Sequence, residues 1–568
     1  MSADKVPPLR GLGESATPNA GDAHEIGIGG RMFQQLLTPV AGSLGLSFIV
    51  AVLPILTVLI LLGVLHRPAW QASLAGLVVG LVIAVAVWSL PIGLALDSVF
   101  NGIVFALWPV MWIVVNALLL YNIAVRSGRF DSFRAWLINH LPDDRRVILV
   151  VIGFCFGALL EGISGFGTPV AITASLLILI GFPPLEALVF VLIFNTAPVA
   201  YGALGTPVTV LGAVTGLPAA ALGAMIGRQL PFIALILPFY VMALYGGARS
   251  VRALWPLLLV SGGSFALSQF VASNFLDYKL TDVLASLGSL IVTLLFLQVW
   301  RPAPDPEFVV QHPERALGKA EPSPAWQGWL PWIIVSAVVI LWTNFNISGI
   351  GRAKLPWPGL DNAISITLYN NKPYPAIWTF EPLATGTAIL GAAILTALIF
   401  RLSPAAFLSC VRETIRQVWL AVVTVCCIVG LAYLMNYSGL AYTLGKGVAS
   451  TGGLFVLLSP FLGWVAVFLS GSDTSGNALF GNLQVVASKE LGLNPLLFAA
   501  TNSSGGVMGK MISPQNIATG VSVTDLKGKE GLVFARTFVH SIVLTILLGL
   551  LVAVQQYLIP WIIPAVSP

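Results

Sequence analysis

Charged residues are scarce in this sequence. Lys and Arg number 28 and Asp and Glu 23 among 568 residues, 9% in all, where an ordinary globular chain carries about 25%. So few charges cannot cover the surface of a soluble fold this long. Cysteine is nearly missing. Cys155, Cys410, Cys426 and Cys427 lie in or beside apolar runs, with no metal-binding spacing and no disulfide framework, which removes iron–sulfur and structural zinc sites. The five histidines (His24, His66, His140, His312 and His540) are scattered, so no pair stands ready to hold a haem. The string from Gly505 to Met511 is one residue short of a phosphate-binding loop and has Met511 where Ser or Thr should hold magnesium, which removes a nucleotide-driven pump. No basic stripe with interleaved aromatics appears, so the net charge of +5 does not point to nucleic acid. No cofactor and no metal site is expected.

What is abundant is apolar. Hydrophobic residues make up 57% of the chain and mean hydropathy is +0.92. Runs long enough to cross a bilayer, which takes roughly 20 residues, recur from Leu44–Leu65 to Ile542–Leu558. The pattern predicts an all-α polytopic membrane protein with roughly 12–14 transmembrane helices. Residues 1–40 read as a mobile polar tail, without the basic start and immediate apolar core of a cleavable signal peptide. A first membrane half follows over 41–300, then a polar linker dense in Pro and charge over 301–327, then a second half over 328–568.

Basic loops orient the spans. His66 and Arg67 sit in one short loop, and Arg126, Arg129, Arg134, Arg145 and Arg146 in a longer one two crossings later, with an uncharged turn between. These agree if the N-terminus lies outside. Arg401, Arg412 and Arg416 then mark another cytoplasmic loop, which places the aromatic loop Asn344–Glu381 outside and the 301–327 linker inside.

Two regions do not read as ordinary membrane helices. The first contains Glu161, Gly162, Ser164, Gly165, Gly167, Thr168 and Pro169, then Asn195, Thr196, Gly202, Thr206 and Pro207. The second contains Gly471, Ser472, Asp473, Thr474, Gly476 and Asn477, then Asn502, Ser503, Gly509, Lys510, Ser513 and Pro514. With Asn195 set on Asn502, the next hydroxyl residue, the glycine seven on and the Thr/Ser-Pro pair eleven and twelve on all coincide. Non-helical backbone inside a bilayer survives only where it is buried in protein or lines a cavity, and paired broken helices mark a secondary transporter's binding site. Close helix packing by small residues is the plainer reading, but it does not explain Asn, Ser, Thr and Pro recurring in register. Counting crossings from the basic loops starts the two regions from opposite faces, which predicts two inverted repeats containing broken or re-entrant helices.

The expected substrate contacts are Ser164, Gly165, Thr168, Asn195, Thr196 and Thr206 from one half and Ser472, Thr474, Asn477, Asn502, Ser503, Lys510 and Ser513 from the other. Ionisable groups inside spans are costly and usually functional. Glu161 and Asp473 lie in the two motifs, and each is either a proton carrier or a carboxylate fixed by hydrogen bonds. Lys510 is either an attractor for a substrate carboxylate or the standing partner of Asp473. His540 titrates near neutrality and is a proton relay or a bland interfacial histidine. Arg228 reads as a headgroup anchor. Glu186, Lys489 and Glu490 sit at turn ends and receive no role.

Longer strings carry a resemblance. The stretches running from Gly153 through Gly162, from Asn195 through Ala200, from Gly227 through Phe232, from Gly471 through Phe480 and from Gly509 through Gln515 resemble the bacterial L-lactate permease family, over most of the chain from about residue 41. The resemblance implies a carrier rather than an enzyme, in the bacterial cytoplasmic membrane, moving L-lactate with protons, with D-lactate and glycolate as further substrates. It leaves room for a homodimer. The alternative within carriers is proton- or sodium-coupled transport of another small organic anion, such as a dicarboxylate; a single cation at the site favours a monocarboxylate. Residues 1–40 and the loops around 302–326 and 347–379 match least.

Overall fold

The structure, a computed structural model, describes residues 32–65, 67–129, 140–163, 168–310, 326–526 and 529–565. Ser164 and Gly165 lie outside the described residues, as do most of the expected tail and much of the linker. A chain in hydrocarbon must satisfy its amides within each segment, so apolar runs become helices. In chain order these are α1 (Leu44–Gly63), α2 (Ala69–Ala86), α3 (Ile92–Phe105), α4 (Trp112–Arg126), α5 (Arg145–Ile163) and α6 (Thr168–Leu179). Next come α7 (Pro184–Phe194), α8 (Gly202–Thr215), α9 (Ala219–Ile226), α10 (Leu230–Phe275), α11 (Thr281–Val299), α12 (Trp326–Asn344) and α13 (Thr385–Ile399). The chain finishes with α14 (Pro404–Ser438), α15 (Leu440–Ala449), α16 (Phe455–Ser470), α17 (Asp473–Glu490), α18 (Pro495–Lys510), α19 (Pro514–Ser522) and α20 (Glu530–Tyr557).

Among the described residues ten helices are long and apolar enough to cross a membrane, or eleven spans if the bent pair formed by α7 and α8 counts as one. One of the ten, Ala219–Phe275, has 57 residues. Straight, it would measure about 85 Å, nearly three times the hydrocarbon core of about 30 Å. Gly247, at φ 65° and ψ −172°, folds it back, and beyond the fold Gly262 packs on the carbonyls of Ala234 and Leu235. The two limbs are antiparallel, so this helix crosses twice. Counting that second limb and the bent pair brings the described residues to twelve crossings, within the expected range.

Burial separates the helices into a periphery and a centre. Only a third of α1 and of α2 is buried, whereas every residue of the α5 window is. The exposed faces are apolar, with Leu53, Val78, Leu267, Phe275 and Leu398 among them, as a lipid-facing surface requires. One core cluster is built from α1–α3 and α14; the larger one joins α5–α11 to α16, α18 and α20, and so mixes residues from before and after the linker.

Loop contacts agree with the orientation read from charge. Strand β1 (Phe33–Gln34) pairs in parallel with β3 (Ile364–Ile366) in a sheet of order β1-β3-β4, with β4 at Lys372–Pro373; β2 (Ala353–Pro356) pairs antiparallel with β5 (Ile377–Phe380). The buried Gln35 donates to the carbonyls of Asn436 and Tyr437 at 2.9 and 3.0 Å. The end of the expected mobile tail is therefore anchored, and it lies on the same face as the aromatic loop, both of which charge placed outside. On the basic side, Arg146 bonds to Asp144 (2.7 Å) and Asp305 (3.4 Å), and Arg249 reaches the same Asp305 at 3.0 Å. The Arg-rich loop and the start of the linker thus share a face.

The tightest helix contact is α16 against α18, made by glycines at Gly463, Gly505 and Gly509. A Cβ at any of the three would collide with main chain, respectively at Asn502, Pro460 and Trp464. Backbone cannot move aside as a side chain can, so Gly505→Leu is expected to cost at least about 3 kcal/mol, the upper end of overpacking penalties. Thermal unfolding of the detergent-solubilised protein measures this; an unchanged midpoint would refute the close packing.

Candidate functional site

Among the described residues three breaks carry the site, and each is built by local sequence. After α16, Gly471 takes a left-handed conformation (φ 69°), which glycine adopts without steric cost. Ser472 then caps α17, its hydroxyl accepting from the Ser475 amide. Pro514 opens α19 with Ser513 as cap, so the chain stops and restarts after Lys510. At the start of α8, Ala203, Leu204 and Gly205 all have positive φ, and α7 and α8 meet at 63°. Residues 164–167, between α5 and α6, lie outside the described residues; of the expected contacts there, only the backbone of Thr168, at the start of α6, is described.

These breaks assemble two connected polar clusters. In the first, the Lys510 ammonium donates to Glu161 Oε1 at 2.6 Å, and Asn195 Nδ2 donates to Glu161 Oε2 at 3.0 Å. All three side chains are buried. Gly202 stands against the same carboxylate, where a Cβ would sit 3.0 Å from Oε1. In the second, Asp473 Oδ2 accepts from Ser503 at 2.5 Å and from Asn477 at 3.1 Å. Among the described residues its Oδ1 has no partner. Asn502 Nδ2 donates to Asn477 Oδ1 at 3.0 Å, and Asn477 Nδ2 reaches the Pro207 carbonyl at 3.3 Å. That last bond ties α17 to α8, across the two halves of the chain.

The remaining expected residues divide. Thr196 and Thr206 turn their hydroxyls back to the carbonyls of Ile193 and Ala203, each at 2.7 Å, and so steady the break. Thr474 is buried in the first turn of α17. Lys510 pairs with Glu161 and not with Asp473. His540 bonds through Nδ1 to the Tyr240 hydroxyl at 2.6 Å and lines a separate cavity of 240 Å³ with Glu186 and Arg536. Arg228, half-buried, is held by protein partners: it bonds to Asn274 at 2.8 Å and to the Ile562 carbonyl.

Sequence reading passed over three participants. Gln484 donates to the Ser459 carbonyl at 2.8 Å and to Asn502 at 3.4 Å. Gln229 accepts from Ser504 at 2.7 Å and donates to Thr501 at 3.0 Å. Asp282, 1% exposed, lies against Gly162, and among the described residues neither of its oxygens has a partner. The available signal was a carboxyl at the head of the apolar run over 281–299. Such a position also suits an ordinary helix start.

A sequence profile described as L-lactate permease matches residues 47–559. The chain belongs to the L-lactate permease family. The L-lactate permease of Salmonella typhimurium (strain LT2) is 40% identical over 551 residues, covering 94% of this chain and 100% of that protein. The L-lactate permease of Bacillus subtilis (strain 168) is 39% identical, covering 93% and 99%. The glycolate permease GlcA of Escherichia coli (strain K12) is 38% identical, covering 92% and 98%. Among solved structures, the YdaH transporter of Alcanivorax borkumensis aligns with 81% of this chain and 87% of its own at 18% identity and a TM-score of 0.42. The chain is thus a multi-pass bacterial inner-membrane protein of a permease family, as its strings and apolar helices led one to expect.

In this permease-family protein the Glu161–Lys510 pair should behave as a buried ion pair. Removing one partner strands a charge, so Lys510→Met alone is expected to destabilise by about 3–5 kcal/mol, whereas adding Glu161→Gln should restore most of the loss. Thermal unfolding of the two single variants and the double variant reads this directly. Equal loss in the single and double variants would show that the pair is not coupled.

Proposed function

We propose that this chain carries L-lactate, with D-lactate and glycolate as further substrates, across the bacterial inner membrane in symport with protons. The observation that carries this reading is the match along nearly the whole chain to proteins named L-lactate permease and glycolate permease. The site's chemistry supports it. Lactate offers one carboxylate, one hydroxyl and a methyl. An ammonium has three donors, of which Lys510 directs one to Glu161, so it can also receive a substrate carboxylate. Asn195, Asn477 and Asn502 supply amides for the hydroxyl. One lysine suits a monocarboxylate better than a dicarboxylate.

The repeat in the sequence is read as an inverted pair. Arg145, at the start of α5, bonds to the Gly181 carbonyl beyond the end of α6 at 3.5 Å, which brings both ends of that hairpin to the basic side. Lys489, at the far end of the α16–α17 hairpin, lies over the Tyr369 ring, on the side of the aromatic loop. Two hairpins dipping in from opposite faces, each followed by a broken helix, would let the same small solute be approached from either side.

We place the coupling proton on Asp473, at the unpartnered Oδ1. Neutral Asp473 admits an anionic substrate without like-charge repulsion, and ionised Asp473 favours its release. Proton and lactate then tighten each other by the same factor. Asp473→Asn mimics the protonated form. In proteoliposomes it is expected to keep lactate exchange while losing uphill accumulation driven by a pH gradient. Wild-type protein should alkalinise the external medium when lactate is added outside, with glycolate competing and succinate not. Wild-type accumulation in Asp473→Asn would remove Asp473 from the coupling role.

A further inference from the structure

Lys510 faces more carboxyls than it can neutralise. It bonds to Glu161, while Asp473 on α17 and Asp282 on α11 both lie within its electrostatic reach. Asp473 has two hydrogen-bond donors on one oxygen. Asp282 has none on either, among the described residues, and its side chain is almost wholly buried. Other groups facing Asp282 are Glu161 on α5 and the buried Tyr201 between α7 and α8, whose hydroxyl donates to the Gly223 carbonyl at 2.7 Å. Lys279, three residues earlier on its own segment, is turned to the Thr385 hydroxyl at 2.7 Å. An ionised carboxylate in such a place, unpaired and without hydrogen bonds, costs several kcal/mol. In this arrangement Asp282 therefore holds its proton.

Resting on the reading of a proton-coupled lactate carrier, we propose that Asp282 is a second proton-carrying carboxyl of the transport site, whose ionised form draws Lys510 away from Glu161. The consequence follows from what Glu161 holds. Its carboxylate joins Lys510 of the second half to Asn195 of the first, and Gly202 packs on it at the start of the positive-φ turn. Gly162, next in chain to Glu161, leaves no room between α5 and Asp282, since a Cβ there would come 2.7 Å from the Asp282 Cβ. Loss of the Asp282 proton leaves two carboxylates competing for one ammonium. Relieving that competition shifts Lys510, and the contact between the halves through Glu161 loosens. Return of the proton to Asp282 restores the pair. The proton leaves to water and is taken back from water, with no other bond made or broken.

The test uses full-length protein in proteoliposomes, with radiolabelled L-lactate and a pH dye. At zero membrane potential, wild-type protein should accumulate lactate about tenfold per unit of pH gradient for each proton that moves with it. Asp282→Asn is locked in the neutral form. It should exchange lactate within about threefold of wild type, accumulate it less steeply with the pH gradient than wild type, and lose the alkaline fall in its exchange-versus-pH profile. Asp282→Glu should keep accumulation while moving the midpoint of that profile. Wild-type accumulation in Asp282→Asn overturns the proposal and leaves the symport reading intact. Loss of exchange in Asp282→Asn, together with a wild-type pH midpoint in Asp282→Glu, also overturns it by making the residue structural. A wild-type protein that accumulates lactate without moving protons overturns the symport reading, and this inference falls with it.

Discussion

The Lys510 ammonium and the Glu161 carboxylate, 2.6 Å apart, come from residues 349 positions apart in sequence and meet where water does not reach. Neither charge could be buried there alone. The pair makes the approach of the two halves a condition of each half's own stability, because separating them would leave an ion without a partner in a medium of low polarity. Around it the buried amides and hydroxyls of Asn195, Asn477, Asn502 and Ser503 find partners in the opposing segment, at the neighbouring break or, for Asn477 with Asp473, one turn away on the same helix. Every element that positions these groups is in that sense subordinate to one requirement: polar groups withdrawn from solvent must be satisfied by protein.

The broken helices follow from the same requirement. A helix running unbroken through the site would use all its amides and carbonyls internally and offer nothing to a solute. Gly471, the positive-φ run from Ala203 to Gly205 and the Ser513–Pro514 restart interrupt the ladder where α5, α17 and α18 supply protein on every side. The peripheral α1 and α2, only a third buried, carry no such break in register with the repeat. Glycine serves the site twice. It permits the left-handed turn at Gly471, and at Gly463, Gly505 and Gly509 it lets α16 and α18 touch backbone to backbone, which brings Asn502 and Lys510 to depth.

Much of this was legible from residue order. The apolar runs announced a membrane protein because a bilayer demands about 20 apolar residues per crossing. The internal register of Asn, hydroxyl, Gly and Ser/Thr-Pro located the breaks, because helix interruption is a local property of glycine and proline. The long strings around Glu161, Asp473 and Lys510 placed the family, and the profile and relatives agree with them. Loop charge oriented the faces, in keeping with the strand pairing of Phe33–Gln34 to Ile364–Ile366 on one side and the Arg146–Asp305 contact on the other.

Which charge meets which was not legible. By sequence Lys510 was either an attractor for a substrate carboxylate or the standing partner of Asp473, and packing gave it to Glu161 instead. Arg228 read as a surface anchor until Asn274 and the Ile562 carbonyl were seen to hold it. His540 belongs to Tyr240 and another cavity. Nothing in the residue order singles out Asp282; its burial and its packing against Gly162 do. By itself the sequence determined where helices run, where they break and which residues are too polar for their surroundings, since those depend on neighbours a few positions away. Tertiary structure alone decided the pairings, since the energy of a buried charge depends on what lies within a few ångströms of it, whatever the distance along the chain.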